Sequence, residues 1–399
     1  MSAFTPQPSL QVGIDVGSTN HTVAISDGVG HIVKEFEIAH NAKGFEQFFR
    51  IVDEVSNNTP AEVHVAMEGY NGWARPFDGL IREKGYRLYN VNNVKLARFK
   101  EIFPGAAKND IIDARKIVEL FSLQTFLPAS KKVLQEIPPA DDVNERLKKL
   151  TRRRKQLIGE KVIILNRLSA ELQATAPELL TITSKVDNLW FLRFITLKKD
   201  IRQVARVRKN SILNISHIGP KRLAAIQGWQ KEASFSSSLA YTAPMIHDDA
   251  VRLLELIDKI KALKEEIATL NLSSPIASVI ETIPGFSTIS AGELAGEIGT
   301  ITRFENEASL ALYLGMTNLD NSSGKRKGSK RSISTNRHAK AAMTTAVMKH
   351  AQHTEESKKY LEKKKAEGKH YLQAIRSLGR HLVRVIWKMI QENRPYRIT

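Results

Sequence analysis

The order of apolar segments between residues 9 and 125 constrains the fold more than any other feature of the chain. Three stretches, LQVGIDV, HTVAISD and HIVKEFEI, follow one another and are separated only by short turns. Segments joined in this way form antiparallel hairpins. The next stretch, KGFEQFFRIVDEV, has the apolar spacing of a helix. We therefore predict that the chain begins with a mixed α/β domain.

Two more strands and one more helix complete the predicted domain. The strands are VHVAME at residues 63–68 and YRLYNVN at 86–92. The helix is NDIIDARKIVELF at 109–121, with Asn109 as its N-cap. Three hairpin-linked strands, then helices and further strands in alternation, is the order of a ribonuclease-H-like domain. This is the fold that we predict for residues 1–130.

Four acidic residues stand at the ends of these elements. Asp15 ends the first strand and Glu68 ends VHVAME, while Asp110 and Asp113 are three residues apart and so share one helix face. Carboxylates are hard oxygen ligands that suit Mg²⁺ or Mn²⁺. Two such ions can activate the attacking oxygen and stabilise the leaving oxygen at a phosphodiester. The pattern therefore predicts a metal site for phosphodiester chemistry.

Two alternative roles for these acids have less support from the sequence. The turn after Asp15 also suits a sugar-kinase-like ATPase, but the chain lacks a second phosphate-binding turn and an adenosine-binding glycine pair. Each acid taken singly could be a helix cap or a surface charge. This second role applies most to Asp110, because an acid in a first helical turn is favourable in any case.

The charge of the chain indicates a polyanionic partner, most simply nucleic acid. Lys and Arg number 60 against 42 Asp and Glu, a net charge of +18. The cations cluster, as in the consecutive residues Arg152, Arg153, Arg154 and Lys155. Four consecutive helical positions cover most of the circumference, so this run cannot all face a core. We predict that it is solvated or contacts phosphates.

Composition also excludes several classes of protein. The chain has no cysteine, which rules out disulfides and cysteine zinc sites. We expect no signal peptide, because MSAFTPQPSL lacks a basic stretch followed by an apolar one, and no apolar run reaches the roughly 18 residues of a membrane span. We expect a soluble protein of the reducing cytoplasm with no membrane partner.

The middle of the chain, residues 131–272, is predicted to be helical. Leucine and isoleucine recur at near-heptad spacing in 141–173 and again in about 248–270. This pattern predicts an antiparallel coiled-coil arm or a dimer stalk, although a helix packed on its own domain would have the same pattern. Between the two lies basic helical sequence containing ISHIGPKRLAAIQGW, which weakly indicates a glycine-containing hairpin between helices.

The C-terminal part, residues 273–399, is predicted to be a helical domain with two nucleic-acid-binding features. IPGF, around Gly285, predicts a helix-hairpin-helix element whose backbone amides face a phosphate. An ordinary connection between helices is the alternative. The second feature is the turn Asn321-Ser322-Ser323-Gly324, which precedes five cations. These cations are Lys325, Arg326, Lys327, Lys330 and Arg331.

A serine hydroxyl in such a positive setting could attack a phosphodiester. From the residues alone, however, the favoured role of such a Ser/Gly-rich basic loop is to bind backbone phosphates without taking part in the chemistry.

The layout resembles the bridge-RNA-guided insertion-sequence transposases, the DEDD recombinases that include the Piv-type DNA invertases. The resemblance lies in GIDVGST, AMEGY and NDIIDAR, and then in IPGF, FENEASLALYLGMT, NSSG and RSISTNRHAKAAM. The chain departs from the family at Asn318, where proline is usual, and in its longer middle region.

The resemblance implies a RuvC-like domain that binds Mg²⁺ (or Mn²⁺) through the four acids, and a serine nucleophile that matches Ser323. It also implies a covalent phosphoserine link to DNA. The implied partners are donor DNA, target DNA and a bridge RNA. The family assembles active sites from different subunits of a homo-oligomer, a dimer or a synaptic tetramer.

Three alternatives stay open. A metal-dependent Holliday-junction resolvase would hydrolyse DNA without a covalent intermediate. A protein-guided invertase would need no RNA. A non-catalytic nucleic-acid-binding protein with a degenerate nuclease fold would keep its function when Asp15 is replaced by asparagine.

Overall fold

The protein consists of two compact units, Met1–Ala140 and Asp141–Thr399. The computed structural model describes residues 9–28, 30–56, 62–68, 72, 74–101, 110–126, 133–324, 328–330, 332 and 334–397. No helix in this part of the chain is both long enough and apolar enough to cross a membrane. The predicted division at residues 130 and 272 stays a prediction.

The first unit is built on a six-stranded sheet with the strand order β3-β2-β1-β4-β5-β6. The first three strands form an antiparallel meander, β4 pairs parallel with β1, and β5 pairs parallel with β4. The strands are β1 (Ser9–Val16), β2 (Asn20–Ser26), β3 (Ile32–Ala39), β4 (Glu62–Met67), β5 (Arg87–Val91) and β6 (Leu134–Glu136). This is the predicted ribonuclease-H-like arrangement; the short antiparallel β6 was not predicted.

Four helices accompany the sheet. They are α1 (Ala42–Val55), α2 (Arg75–Glu83), α3 (Asn93–Lys100) and α4 (Asp110–Phe126). The Asn41 side chain caps α1 by accepting from the Gly44 amide at 3.0 Å. Phe45 of α1 stacks on Phe77 of α2 with ring centroids 4.8 Å apart, inside the core that covers one face of the sheet. The predicted N-cap Asn109 lies outside the described residues.

The second unit is almost entirely helical. Its helices are α5 (Asp142–Thr175), α6 (Leu189–Ile195), α7 (Ile201–Val204), α8 (Lys209–Leu213), α9 (Pro220–Glu232), α10 (Leu239–Ser273), α11 (Pro275–Glu281), α12 (Thr288–Ile298), α13 (Glu307–Tyr313), α14 (Arg337–His353), α15 (Glu355–Ala366) and α16 (Tyr371–Glu392). A small hairpin, β7 (Leu319–Asp320) and β8 (Ser329–Lys330), lies between α13 and α14. The predicted fold class, α/β followed by all-α, is confirmed.

The long helices α5 and α10 pack along each other in antiparallel directions. Arg146 pairs with Glu266 at 3.3 Å, and Glu160 pairs with Arg252 at 3.7 Å. At one end the two helices contribute to a core with α11–α16, and at the other to a core with α6–α9. The two predicted amphipathic helices therefore bury their apolar faces within a single chain.

Helix α12 lies unusually close to α5. A Cβ on Gly296 would lie 2.7 Å from the Lys148 Cα and would overlap the Lys148 amide nitrogen. Glycine is required here by space and not by backbone conformation. By contrast, the helical Gly228 of α9 has no atom within 4 Å of where its Cβ would be.

We predict opposite effects for alanine at these two glycines. Gly296→Ala must push α12 from α5 and should lower the free energy of unfolding by about 1–3 kcal/mol. Gly228→Ala should raise it by about 0.5–1 kcal/mol, because alanine is the better helix former and meets no neighbour. Urea unfolding followed by circular dichroism measures both. Equal effects of the two substitutions would contradict the close packing.

Candidate active site

Asp15 and Glu68 lie side by side at one edge of the sheet. In the parallel pair of β1 and β4, Ile14 is opposite Met67. The residues that follow on the two strands are Asp15 and Glu68. The Glu68 amide donates to the Ile14 carbonyl at 3.4 Å, which continues the pairing to that point. Both side chains are half-buried. The fold therefore brings these two predicted ligands to adjacent strand ends.

Gly13 allows helix α4 to lie directly on β1. A Cβ on Gly13 would be 2.9 Å from Val118 Cγ2 and would overlap the Ala114 carbonyl oxygen. Asp15, two residues further along the strand, points to this same face of the sheet. Ala114 directly follows Asp113, so the Gly13 contact places the first turns of α4 beside the end of β1.

A second contact fixes the direction of α4. A Cβ on Gly30, in the turn between β2 and β3, would lie 3.2 Å from Ser122 Oγ. Because β2 runs antiparallel to β1, this turn is at the edge of the sheet opposite to Asp15. Helix α4 therefore starts at the Asp15 edge, and Asp110 and Asp113 in its first turn belong to that edge.

The four acids thus converge by backbone position, and their oxygens are the donor type that Mg²⁺ prefers. Within the ranges that the structure describes, however, no three His, Asp or Glu side chains are gathered closely enough to hold a metal ion. The fold brings the four acids to one edge of the sheet, but their side chains do not form a closed ligand cluster, and the metal site stays a prediction.

A buried histidine that was not predicted from the sequence lies beside the acidic edge. His21 of β2 is fully buried, and its Nε2 is 2.8 Å from Nδ1 of His40. Its ring stacks on Phe77 with centroids 5.9 Å apart. Burial, aided by His40, lowers the pKa of His21 to about 4. The alternation of apolar residues along β2 was the signal that could have predicted this burial.

The predicted serine is on the hairpin of β7 and β8. The Asn321 amide donates to the Gly328 carbonyl at 2.9 Å, and Gly324 has φ +55. Ser322 and Ser323 are both exposed. The Ser322 hydroxyl donates to the Asp320 carboxylate at 2.6 Å, whereas that of Ser323 has no hydrogen-bond partner in the described part of the chain. Of the two serines, only Ser323 therefore presents an uncommitted hydroxyl.

Most of the cations predicted to follow Ser323 lie outside the described residues. These are Lys325, Arg326, Lys327 and Arg331. Lys330, in β8, is described and is exposed.

Both ends of this hairpin are fixed to buried structure. On the N-terminal side, Met316 is buried, and its amide donates to the Ala311 carbonyl of α13 at 2.9 Å. On the C-terminal side, the Thr335 hydroxyl donates to the Leu312 carbonyl at 3.0 Å. The Asn336 amide donates to the Tyr313 carbonyl at 2.9 Å. The exposed serine turn therefore stands on a base that is hydrogen-bonded to α13 at both ends.

Glu297 of α12 organises that base, and sequence analysis did not predict it. Its side chain is almost fully buried. Arg152 donates twice to its carboxylate, at 2.7 and 2.9 Å, and Asn336 donates once, at 2.7 Å. The Tyr313 hydroxyl donates to the Glu297 carbonyl oxygen at 2.8 Å. Burial raises the pKa of this carboxyl, but the Arg152 and Asn336 contacts outweigh it and hold the pKa below its usual range.

The basic run on α5 is thus divided between two environments. Arg152 is held by Glu297, Arg154 is half-buried, and Arg153 is exposed. The nucleic-acid contact predicted for the three arginines stays a prediction, but Arg152 also has a structural role.

The IPGF turn is packed against α14. Gly285 has φ +83, and a Cβ there would be 2.6 Å from the His350 Cα. His350 is buried, and its Nδ1 lies 2.7 Å from the Pro284 carbonyl oxygen. Packing and backbone conformation therefore account for this glycine, and its predicted phosphate contact stays a prediction.

Comparison with known proteins identifies the class. Residues 12–177 match the DEDD_Tnp_IS110 family, described as a transposase, and residues 277–362 match the transposase IS116/IS110/IS902 family. The two matches together cover more than half of the chain and include the acidic edge and the serine hairpin. The chain belongs to the IS110/IS116 family of transposases.

Individual relatives are distant but extend over the full chain. An IS116 insertion-element 44.8 kDa protein of Streptomyces clavuligerus is 22% identical over 98% of this chain and 96% of its own length. An IS110 insertion-element 43.6 kDa protein of Streptomyces coelicolor is also 22% identical, with the same coverage. Among solved structures, T. thermophilus RuvC in complex with a Holliday junction substrate aligns with 15% identity and a TM-score of 0.24, covering 32% of this chain and 99% of that one.

We predict that His21 makes the first unit acid-sensitive. Between about pH 6.5 and pH 4 the unfolded chain takes up a proton at His21 that the folded chain does not, so stability falls as the pH falls, by up to about 3 kcal/mol. His21→Leu, which conserves volume, should reduce the difference in urea midpoint between pH 7 and pH 4.5. His31→Gln, at an exposed histidine, is the control and should leave that difference unchanged.

We predict that Glu297→Gln destabilises the second unit by about 2 kcal/mol, because it leaves the Arg152 guanidinium without its carboxylate. Glu266→Gln is the matched control, since it removes the carboxylate of an exposed pair and should cost less than about 0.5 kcal/mol. Urea unfolding compares them. Similar costs would mean that burial adds nothing to the Glu297 pair.

Proposed function

We propose that this transposase exchanges DNA strands through a covalent bond between Ser323 and a DNA phosphate. The four acids at the sheet edge hold Mg²⁺ against the same phosphate. A non-coding bridge RNA pairs with donor and target DNA and selects the sites. The active complex is a homo-oligomer, a dimer that pairs into a tetramer.

The observation that carries the proposal is the state of Ser323. Its hydroxyl is exposed and uncommitted on a turn whose two ends are anchored to α13, while the neighbouring Ser322 is engaged by Asp320. A nucleophile must be accessible and held in a fixed position. Family membership adds the expectation of DNA as the substrate, and the net charge of +18 suits a complex with both DNA and RNA.

The proposed chemistry conserves the phosphodiester. Ser323 Oγ attacks phosphorus as the bond from phosphorus to the deoxyribose oxygen breaks; the serine proton is lost to a base, and the leaving oxygen gains one. The cations of the hairpin stabilise the charge on the phosphorane-like transition state. When bound, Mg²⁺ supplies Lewis-acid stabilisation of the same phosphate. Reversal with a second strand rejoins DNA without ATP.

A resolvase-like nuclease is the second candidate, favoured by the ribonuclease-H-like sheet with acids at its edge. In that case water hydrolyses the phosphodiester, and the serine turn only grips the backbone. No adduct between protein and DNA would form.

We predict an adduct when wild-type protein, with its copurified RNA, is incubated with labelled donor DNA and Mg²⁺ and then denatured on a gel. Ser323→Ala should abolish the adduct because the nucleophile is gone, and Asp110→Asn should reduce it at least about tenfold because a metal ligand is lost. Ser322→Ala is the matched control and should retain it.

Cleavage without an adduct, unaffected by Ser323→Ala, would overturn the serine mechanism in favour of the resolvase. An adduct that forms equally well after RNase treatment would overturn RNA guidance in favour of a protein-guided invertase.

A further inference from the structure

The segment Asn188–Glu232 carries a concentration of positive charge outside both family matches. It contains ten lysines and arginines and only two acidic residues. The family matches end at residue 177 and resume at residue 277. This charge therefore lies in a part of the chain that neither family match covers.

Helices α8 and α9 form a hairpin that is attached to the core through evenly spaced isoleucines. Ile212 and Ile215 are buried, and Ile218 packs against the same core. The turn between the helices is exposed, including His217, with φ +69, and Gly219. Apolar anchors at every third residue thus leave the rest of the turn facing solvent.

Five cations surround this turn, and we call them the basic hairpin face. All five are exposed, and none has an acidic partner within residues 133–324, a range that the structure describes without a gap. They are Arg193, Arg208, Lys209, Lys221 and Arg222.

Two contacts hold the face together. The Arg222 guanidinium lies over the Trp190 ring of α6, 5.3 Å from its centroid, and donates to the His217 carbonyl oxygen. Arg193 follows Trp190 by one helical turn, so it lies beside the same contact. Helix α8 is only five residues, about 7 Å, long, which keeps Arg208 and Lys209 close to the turn.

The fold itself does not require Gly219. Its φ is −97, which any residue adopts, and no atom lies within 4 Å of where a Cβ would be. It begins α9 without a side-chain cap, so the first amides of that helix stay uncovered. A side chain at position 219 would therefore not disturb the fold, so this helix N-terminus can be covered by substitution alone.

We infer that the basic hairpin face is a docking surface for the phosphate backbone of duplex DNA, additional to the candidate active site. The charge is complementary, and backbone amides beside cations bind phosphates without reading sequence. All four aromatic residues of the segment, Trp190, Phe191, Phe194 and Trp229, are buried. The face therefore lacks the stacking platform that single strands require. The inference rests on the proposed function in taking DNA as the substrate.

The first test replaces charge. In a Ser323→Ala background, which prevents chemistry, Arg208→Gln, Lys209→Gln and Lys221→Gln are combined, and binding to a random-sequence duplex is measured by fluorescence anisotropy at several salt concentrations. Each lost phosphate contact lowers the salt slope by roughly 0.9, so the slope should fall by about 2–3 and the affinity by about tenfold or more.

The matched control removes the same charge elsewhere. The control combines Lys259→Gln, Lys261→Gln and Lys264→Gln on α10. Two of these lysines, Lys259 and Lys261, form ion pairs with glutamates of the same helix. This triple variant should bind the duplex as the Ser323→Ala protein does.

The second test separates binding from folding. Gly219→Ser introduces a favourable N-cap whose hydroxyl occupies the first amides of α9. Thermal stability should stay equal or rise, while duplex affinity should fall severalfold. A purely structural role of this turn would move both quantities in the same direction.

Unchanged duplex binding in the first triple variant overturns the inference. Loss of binding to the copurified RNA, with duplex binding intact, also overturns it and assigns the face to RNA. The binding assay is carried out without the nucleophile. Its result therefore does not depend on whether the adduct experiment succeeds or fails.

Discussion

The second unit depends on the ion pair between Glu297 and Arg152. One buried carboxylate receives hydrogen bonds from α5 and from the residue that caps α14, while the carbonyl of the same residue holds α13. A buried charge is costly unless every partner is in place, so alternative packings of these helices are penalised. The serine hairpin begins and ends on the helices joined at this point. The position of the proposed nucleophile therefore depends on the buried ion pair of Glu297 and Arg152 as well as on the exposed turn.

The acidic edge depends on a different kind of constraint, namely the absence of a side chain. Gly13 lets α4 rest on β1, so the first turn of a helix and the ends of two strands meet at one edge. Gly296 allows an equally close approach of α12 to α5. In each unit a glycine sets the distance between two backbones, Gly13 two residues before the proposed metal ligand Asp15 and Gly296 directly before the buried Glu297. A side chain at position 13 would push α4, which carries Asp110 and Asp113, away from β1, which carries Asp15.

The sequence was sufficient to predict what is local. The strand meander, the helix that carries Asp110 and Asp113, and the burial of the two long helices followed from periodicity, and the structure confirms them. The Glu297 cluster could not be predicted, because Arg152, Glu297 and Asn336 are far apart in the chain and each is of a residue type that is usually exposed. Strand β6 is only three residues long and had no periodicity to detect. The role proposed for Ser323 came from resemblance, because a Ser/Gly turn among cations has the same sequence pattern whether its serine is a nucleophile or only binds phosphates.

The antiparallel pair of α5 and α10 has a mechanical consequence. Each helix is about 50 Å long and contributes side chains to both cores of the second unit. The two cores therefore cannot rotate relative to each other unless α5 and α10 bend and the packing between these two helices is broken. Because α5 and α10 are shared, movement of the helices around α9 is coupled to the core that contains α12.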